Sequence, residues 1–314
     1  MNLEATAFRQ INRAKANFDT IYTDPDPREY FRVLYGLDYV IPDLAKPIIR
    51  TLMDALRYDA GRPVRVLDIG CSYGINAALA RYPLDLRRLA QRYASAEMRA
   101  LDSDTLIQLD RHYYRSWPAH GDARFIGLDS SAPAVRYALN AGLLDAAVST
   151  NLEHEEPGAR DRGVLGDLDL IVSTGCVGYV TERTFRRILA VQNKARAPWV
   201  VNFVLRMFPY DAMASELEQY GLVTEKLKGV TFVQRRFHSG EEAAGMLEVL
   251  ENKGVDVTGK EAEGLLQAEL FVSRPAYWVE RAPLGELVSV TSGASRRYGR
   301  RFARGKRSDI SLVH

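Results

Sequence analysis

The stretch VRVLDIGCSYG, Val64–Gly74, decides how the rest of the chain is read. Val64, Val66, Leu67 and Ile69 give a short apolar run of the kind a strand covered on both faces shows. The run turns acidic at Asp68, then sets Gly70 and Gly74 among small residues before a helical pattern resumes at Ile75. A buried strand that ends in a glycine-rich turn and opens a helix aims backbone N–H groups at a ligand, so this local pattern speaks of binding as well as of fold.

Working outward, apolar segments alternate with helical ones. ARFIGLD (123–129), AAVSTNL (146–152), LDLIVST (168–174) and PWVVNFVL (198–205) read as strands, separated by the helical APAVRYALNAG (132–142) and ERTFRRILAVQNKA (182–195). VTFVQRRF (230–237) and LLQAELFVSR (265–274) follow as strands around the helical GEEAAGMLEVLENKG (240–254). Strands separated by helices in this way imply a parallel sheet with helices on both faces. Before this unit, Phe8, Ile11, Phe18 and Ile21 fall near helical spacing, the proline-bearing TDPDPREY breaks that helix, and a second helix is expected to start near Pro47. The expected division is a helical N-terminal lid over 1–60, an α/β domain over 61–285 with a helical insertion at about 82–122, and a basic tail over 286–314.

Composition narrows the function classes. The 314 residues carry a formal net charge of +2 with 26% charged and 46% hydrophobic residues, which gives no global signal for nucleic acid or a membrane surface. No apolar run approaches the roughly 20 residues that span a bilayer, and the N-terminus lacks the apolar core of a signal peptide, so a cytoplasmic protein is expected. Only Cys71 and Cys176 are present, without paired CxxC spacing, so no metal is expected; they read as small residues in crowded loops rather than a redox pair.

In an open parallel sheet ligands bind beyond the carboxyl ends of the strands, so the strand ends are read together. The first ends in Asp68, Gly70, Ser72 and Gly74, the second in GLDSS with Asp129, the third near Asn151 and Leu152, and the fourth in STGCVGY. A carboxylate closing the second strand can accept both hydrogen bonds of a ribose diol. A dinucleotide fingerprint fits less well: the third glycine of G-x-G-x-x-G is absent and the acid lies far beyond 20 residues on.

DIGCSYG resembles the D-x-G-x-G-x-G loop of class I S-adenosylmethionine-dependent methyltransferases, with Ser72 in place of the middle glycine, and Asp129 falls where that family keeps its ribose-binding acid. The resemblance covers roughly residues 60–210. It implies a Rossmann-like seven-stranded doubly wound α/β sheet and S-adenosyl-L-methionine as cofactor. Asp68, Gly70, Cys71, Ser72 and Gly74 would cradle the methionine part, Asp129 the ribose, and Ser130 with Asn151 or Leu152 the adenine, with Ser173 alongside.

STGCVGYV (173–180) departs from the N/D-P-P-Y run of the family's amine-directed members, which argues against a nucleobase amine. Thr174 and Tyr179 are the candidates to face the acceptor, and His154 a base if the acceptor reaches it. Tyr22, Tyr30, Tyr35 and Arg206 are candidate acceptor contacts, with Arg235 and Arg236 as further cations able to take a carboxylate. Aromatic helices before the first strand suit a lid over a small molecule. The tail SRRYGRRFARGKR (295–307) reads as a solvated extension or a subunit contact rather than an RNA-binding arm, which leaves a homodimer open. The expected function is methyl transfer to a small acceptor. Two alternatives stay open: a reaction at the cofactor's aminobutyrate carbon releasing methylthioadenosine, by cyclisation or aminocarboxypropyl transfer, and a non-catalytic binding protein on the same fold.

Overall fold

A computed structural model describes residues 8, 11–12, 15–16, 18–193, 196–290, 300–305 and 309–313. At its centre lies the strand Val64–Ile69 (β1), flanked by Ala123–Leu128 (β2) and Leu170–Thr174 (β4). The short Ala146–Val148 (β3) pairs with β2, and Trp199–Leu205 (β5), buried at all seven positions, pairs with β4. These five strands are mutually parallel. Leu222–Lys226 (β6), Phe232–Arg236 (β7) and Leu265–Pro275 (β8) complete the sheet, with β8 antiparallel to β5. The order β3-β2-β1-β4-β5-β8-β6 reverses between β1 and β4, so a crevice opens beyond their carboxyl ends.

The outer edge explains why eight strands fill seven places. β6 pairs with residues 271–275 of β8 and β7 with residues 265–268 of the same strand, both antiparallel. One edge strand is thus split in two by residues 227–231, and the doubly wound sheet has the expected seven positions. β6 carries no apolar run: only Leu222 is buried there, the rest being exposed or half-buried, as befits a sheet edge.

The helix expected to start near Pro47 begins six residues earlier and runs Ile41–Ala60, with Pro42 in its first turn and Pro47 inside it. Pro42 suits a first turn, where the missing N–H would have had no partner. Arg50 of this helix donates to the carbonyls of Leu79, Ala80 and Tyr82, satisfying the last turn of the helix Ile75–Arg81 that follows the glycine loop. Phe8, Ile11 and Ile21 are buried, while much of the expected first helix lies outside the described residues.

The insertion over 82–122 forms the helices Leu86–Ala94, Ala96–Arg99 and Ser103–Arg115. It is fastened by a buried polar cluster. The Asp110 carboxylate accepts hydrogen bonds from Tyr93 Oη (2.9 Å), Tyr137 Oη (2.6 Å) and Arg92 Nη2 (2.9 Å), and Tyr114 Oη lies 3.1 Å from Tyr93 Oη. Tyr93 also stacks on Phe31 of the helix Arg28–Gly36, so the insertion supports that helix from behind.

The described part of the basic tail is not a free arm. Arg301–Arg304 (β9) and Ile310–Val313 (β10) form an antiparallel hairpin in which Arg304 pairs with Glu251 and Arg301 donates to the carbonyl of Glu263. Tyr298 and residues 291–299 and 306–308 lie outside the described residues.

Removing one partner of a buried ion pair leaves the other charge and its donors unsatisfied, which costs several kcal/mol. Asp110→Ala is expected to destabilise the fold by about 3 kcal/mol, read as a lower denaturant midpoint at unchanged slope. An unchanged midpoint contradicts the role given to the cluster.

Candidate functional site

Beyond the carboxyl ends of β1, β2, β3 and β4 lies a cavity of about 550 Å³, within the size range of small-molecule sites. Its floor is the glycine loop. Gly70 has φ +70°, and a Cβ there would stand 2.9 Å from Cys176 Cβ, so this position admits only glycine. Ser72 also sits in the left-handed region, at φ +47°, where a non-glycine residue is strained. Its N–H donates to Asp129 Oδ2 at 2.8 Å, while Asp129 Oδ1 accepts from the Ser131 N–H at 2.8 Å. The carboxylate that closes β2 thus holds the strained turn that closes β1. Each of its oxygens retains a lone pair for a donor in the cavity.

Asp68 lies beneath this floor with no exposed surface. Asn76, on the first turn of the helix Ile75–Arg81, donates through Nδ2 to Asp68 Oδ1 (2.9 Å) and to Thr174 Oγ1 (3.0 Å). Asp68 Oδ2 is buried with no hydrogen-bond partner. Burial pushes the Asp68 carboxyl up to about 7, the hydrogen bond from Asn76 opposing and the Asp129 charge adding to the shift. A buried carboxylate oxygen without a donor is strongly disfavoured, and a cation delivered into the cavity would satisfy it.

The opposite wall comes from residues 15–42. Tyr22, Tyr30 and Tyr39 line the cavity, with Tyr30 edge-on to Tyr22 at 5.8 Å and to Tyr39 at 6.2 Å. Burial raises all three hydroxyls well above the ordinary tyrosine value, so they stay neutral and serve as walls and hydrogen-bonding groups rather than bases. This wall is bolted to the floor. Tyr73 Oη of the glycine loop donates to the carbonyls of Ile21 (2.9 Å) and Asp24 (3.0 Å), and Ser131 Oγ donates to the carbonyl of Tyr22.

Of the residues singled out from the sequence, Gly70, Cys71, Ser72, Asp129, Ser130, Asn151 and Leu152 line the cavity, as do Thr174, Tyr179, Tyr22 and Tyr30. Asp68, Gly74 and Ser173 stand just behind that lining. Gly74 turns the chain at φ +76°, and Ser173 Oγ accepts from the Cys176 thiol at 3.2 Å. Three candidates lie elsewhere. His154 is exposed and does not line the cavity although Leu152 and Glu153 before it do, and Tyr35 is exposed on the outer face of its helix. Arg206 is engaged at the far side of β5 with Glu261 (2.5 Å), where its side chain is almost fully buried. The helical insertion over 82–122 contributes no lining residue and acts behind the wall instead. Cys71 and Cys176 are both free, and burial raises Cys71 well above its ordinary range and Cys176 to about 12.

No motif or spacing pointed to Lys15, Glu153 or Gln234, which line the cavity from segments far apart in the chain. Asn76 had a weak signal: it is the one polar residue in the run INAALA directly after the glycine loop, where a buried amide needs a reason. Arg235 enters the cavity from β7 and is tied to Glu242 (2.6 Å), whereas Arg236 pairs with Asp38 (2.6 Å) outside it. Among the described residues no cluster of His, Cys, Asp and Glu has metal-binding geometry, and no helix is long and apolar enough to cross a membrane.

No family model matches the chain, and no curated protein matches it. Similar solved structures include the plantazolicin methyltransferase BamL in complex with a triazolic analog and SAH, at 13% identity and a TM-score of 0.41, covering 87% of this chain and 98% of that one. The plantazolicin methyltransferase BpumL in complex with SAH is 14% identical at a TM-score of 0.38, covering 86% and 96%. The magnesium protoporphyrin IX methyltransferase of Synechocystis PCC 6803 with bound SAM is 11% identical at 0.36, covering 86% and 92%. Likeness at this level says nothing of activity.

The Asp68 geometry sets a pH test. Folding raises its pKa from near 4 to about 7, so its stabilising contribution is full below about pH 4 and lost as pH rises through about 7. Asp68→Asn, which keeps the acceptor for Asn76, is expected to stabilise the ligand-free protein at pH 8 by on the order of 2–4 kcal/mol and to leave it nearly unchanged at pH 4. A lower melting temperature at pH 8 contradicts the assignment.

Proposed function

We propose that this chain is an S-adenosylmethionine-dependent methyltransferase acting on a small molecule held against the aromatic wall. The observation that carries the reading is the pair of acids at the ends of β1 and β2: Asp68, just behind the lining with an unpartnered buried oxygen, and Asp129, with one oxygen on the Ser72 N–H of the glycine loop and the other on the Ser131 N–H. A nucleoside with a cationic amino-acid tail fits both. Asp129 would take the ribose hydroxyls, Asp68 with Asn76 the ammonium, and the positive-φ turn at Gly70 would let the backbone approach the methionine part. Asn151 and Leu152, at the end of β3, suit the adenine.

The cofactor supplies a sulfonium methyl that is already electrophilic, so what this chain must do is align and desolvate. Tyr22, Tyr30 and Tyr39 exclude water, and their bolts to Tyr73 and Ser131 link the acceptor wall to the cofactor floor. That coupling is what alignment of donor and acceptor requires. Thr174 is held by Asn76, and Tyr179, half exposed at the rim, can orient an acceptor. A lid over 1–60, an α/β domain over 61–285 and the terminal hairpin are the corresponding organisation we propose.

Incubation with S-adenosylmethionine alone, followed by mass spectrometry, separates this reading from reaction at the aminobutyrate carbon. The bound cofactor is expected to persist, with S-adenosylhomocysteine released once an acceptor is added. Methylthioadenosine above the enzyme-free control overturns methyl transfer. Asp129→Ala is expected to weaken cofactor binding at least about tenfold, since it removes the acceptor of both ribose hydroxyls and the partner of Ser72; unchanged affinity by calorimetry contradicts the ribose role.

A further inference from the structure

We propose that the acceptor is a small aromatic or apolar monoacid whose carboxylate docks on the Lys15 ammonium at the rim of the cavity. The inference rests on the methyltransferase reading and names its substrate class. Lys15 lines the cavity with Nζ 4.9 Å from the centroid of the Tyr179 ring. Among the described residues no carboxylate pairs with it. The nearest candidate, Glu242, is fully engaged: Oε1 accepts from Ala16 N (2.8 Å) and Arg235 Nη2 (2.6 Å), and Oε2 from Arg235 Nη1 (2.9 Å) and His238 N (2.7 Å). A cation held inside a cavity by a ring face, with its neighbouring acid taken, is short of one negative charge.

The surroundings define that charge. Arg235 is neutralised by Glu242 and lies over Phe18 at 5.0 Å, so Lys15, Arg235 and Glu242 sum to a single positive charge, which one carboxylate balances. Phe18, Tyr22, Tyr39 and Leu34 give the body of the ligand an apolar and aromatic wall. Gln234 lines the same end and its Oε1 is buried with no hydrogen-bond partner, so this end of the cavity holds polar capacity that no described residue uses. The other carboxylates of the cavity are engaged elsewhere: Asp129 holds the N–H groups of Ser72 and Ser131, and Glu153 accepts from Thr181 and Thr184.

The groups facing Lys15 set a pH signature. Burial and the Arg235 charge lower Lys15 to about 8, while Glu242 and the Cys176 thiol act in the opposite direction. The ammonium needed to take a carboxylate is therefore present below about pH 8 and is lost above it, so affinity for an acid falls as pH rises through that value, and affinity for its amide does not.

The test uses the full chain saturated with S-adenosylhomocysteine, titrated calorimetrically with benzoate, phenylacetate and 2-naphthoate, each beside its primary amide. At pH 7 at least one acid is expected to bind about tenfold or more tighter than its amide, with the preference fading above pH 9. Lys15→Met is expected to abolish the preference and Lys15→Arg to retain it, while both keep wild-type affinity for S-adenosylhomocysteine, which reports that they fold. Equal affinity for acids and amides, no binding of any acid, or a preference that survives in Lys15→Met overturns the proposal. Failure of the wild type to bind S-adenosylhomocysteine would instead overturn the methyltransferase reading.

Discussion

The carboxylate of Asp129 bridges two backbone N–H groups, that of Ser72 in the glycine loop and that of Ser131 after β2, and the cavity depends on this bridge. Without it the Ser72 N–H at the left-handed turn loses its acceptor, and the loop is tied to β2 only by the Gly70 and Cys71 N–H groups on the Leu128 carbonyl. Ser131 in turn holds the carbonyl of Tyr22, and Tyr73 holds those of Ile21 and Asp24. One acid therefore sets the floor, and through three further hydrogen bonds the floor sets the wall.

The charges are distributed along the same line. Asp68 and Asp129 stand at the ends of β1 and β2, both raised by burial, and Lys15 stands with the buried Arg235–Glu242 pair of the other wall. Ionised groups are kept in such a place only against the cost of desolvation, so each unpartnered one marks where a charged ligand atom is wanted. Asp68 asks for a cation and Lys15 for an anion. The tyrosines between them, neutral at physiological pH, separate the two ends by apolar surface.

Much of the floor was legible because it is local. Gly70, Ser72 and Gly74 fall within five residues of one another, and Asp129 closes a strand whose apolar run ARFIGL is plain. The parallel strands were legible for the same reason, being short apolar runs between helices. The acceptor wall was legible in part, through Tyr22 and Tyr30 in the aromatic stretch before β1, but Lys15, Glu153 and Gln234 reach the cavity from separate segments whose juxtaposition no spacing encodes. Arg206 shows the converse: a cation ending a strand looked available, and only the fold brings Glu261 against it. Pro47 misled in a different way, since a helix long enough to be held by packing tolerates an internal proline that a sequence reading takes as its start. β6 escaped notice because an edge strand need not be apolar.

The most direct measurement is calorimetric titration of S-adenosylmethionine into the protein at pH 7 in two buffers of different ionisation enthalpy. If Asp68, near half-protonated at that pH, receives the cofactor's ammonium, binding is saturable at one site and releases about half a proton, and the release disappears in Asp68→Asn. Absence of saturable binding, or binding with no proton released, contradicts the account of the site.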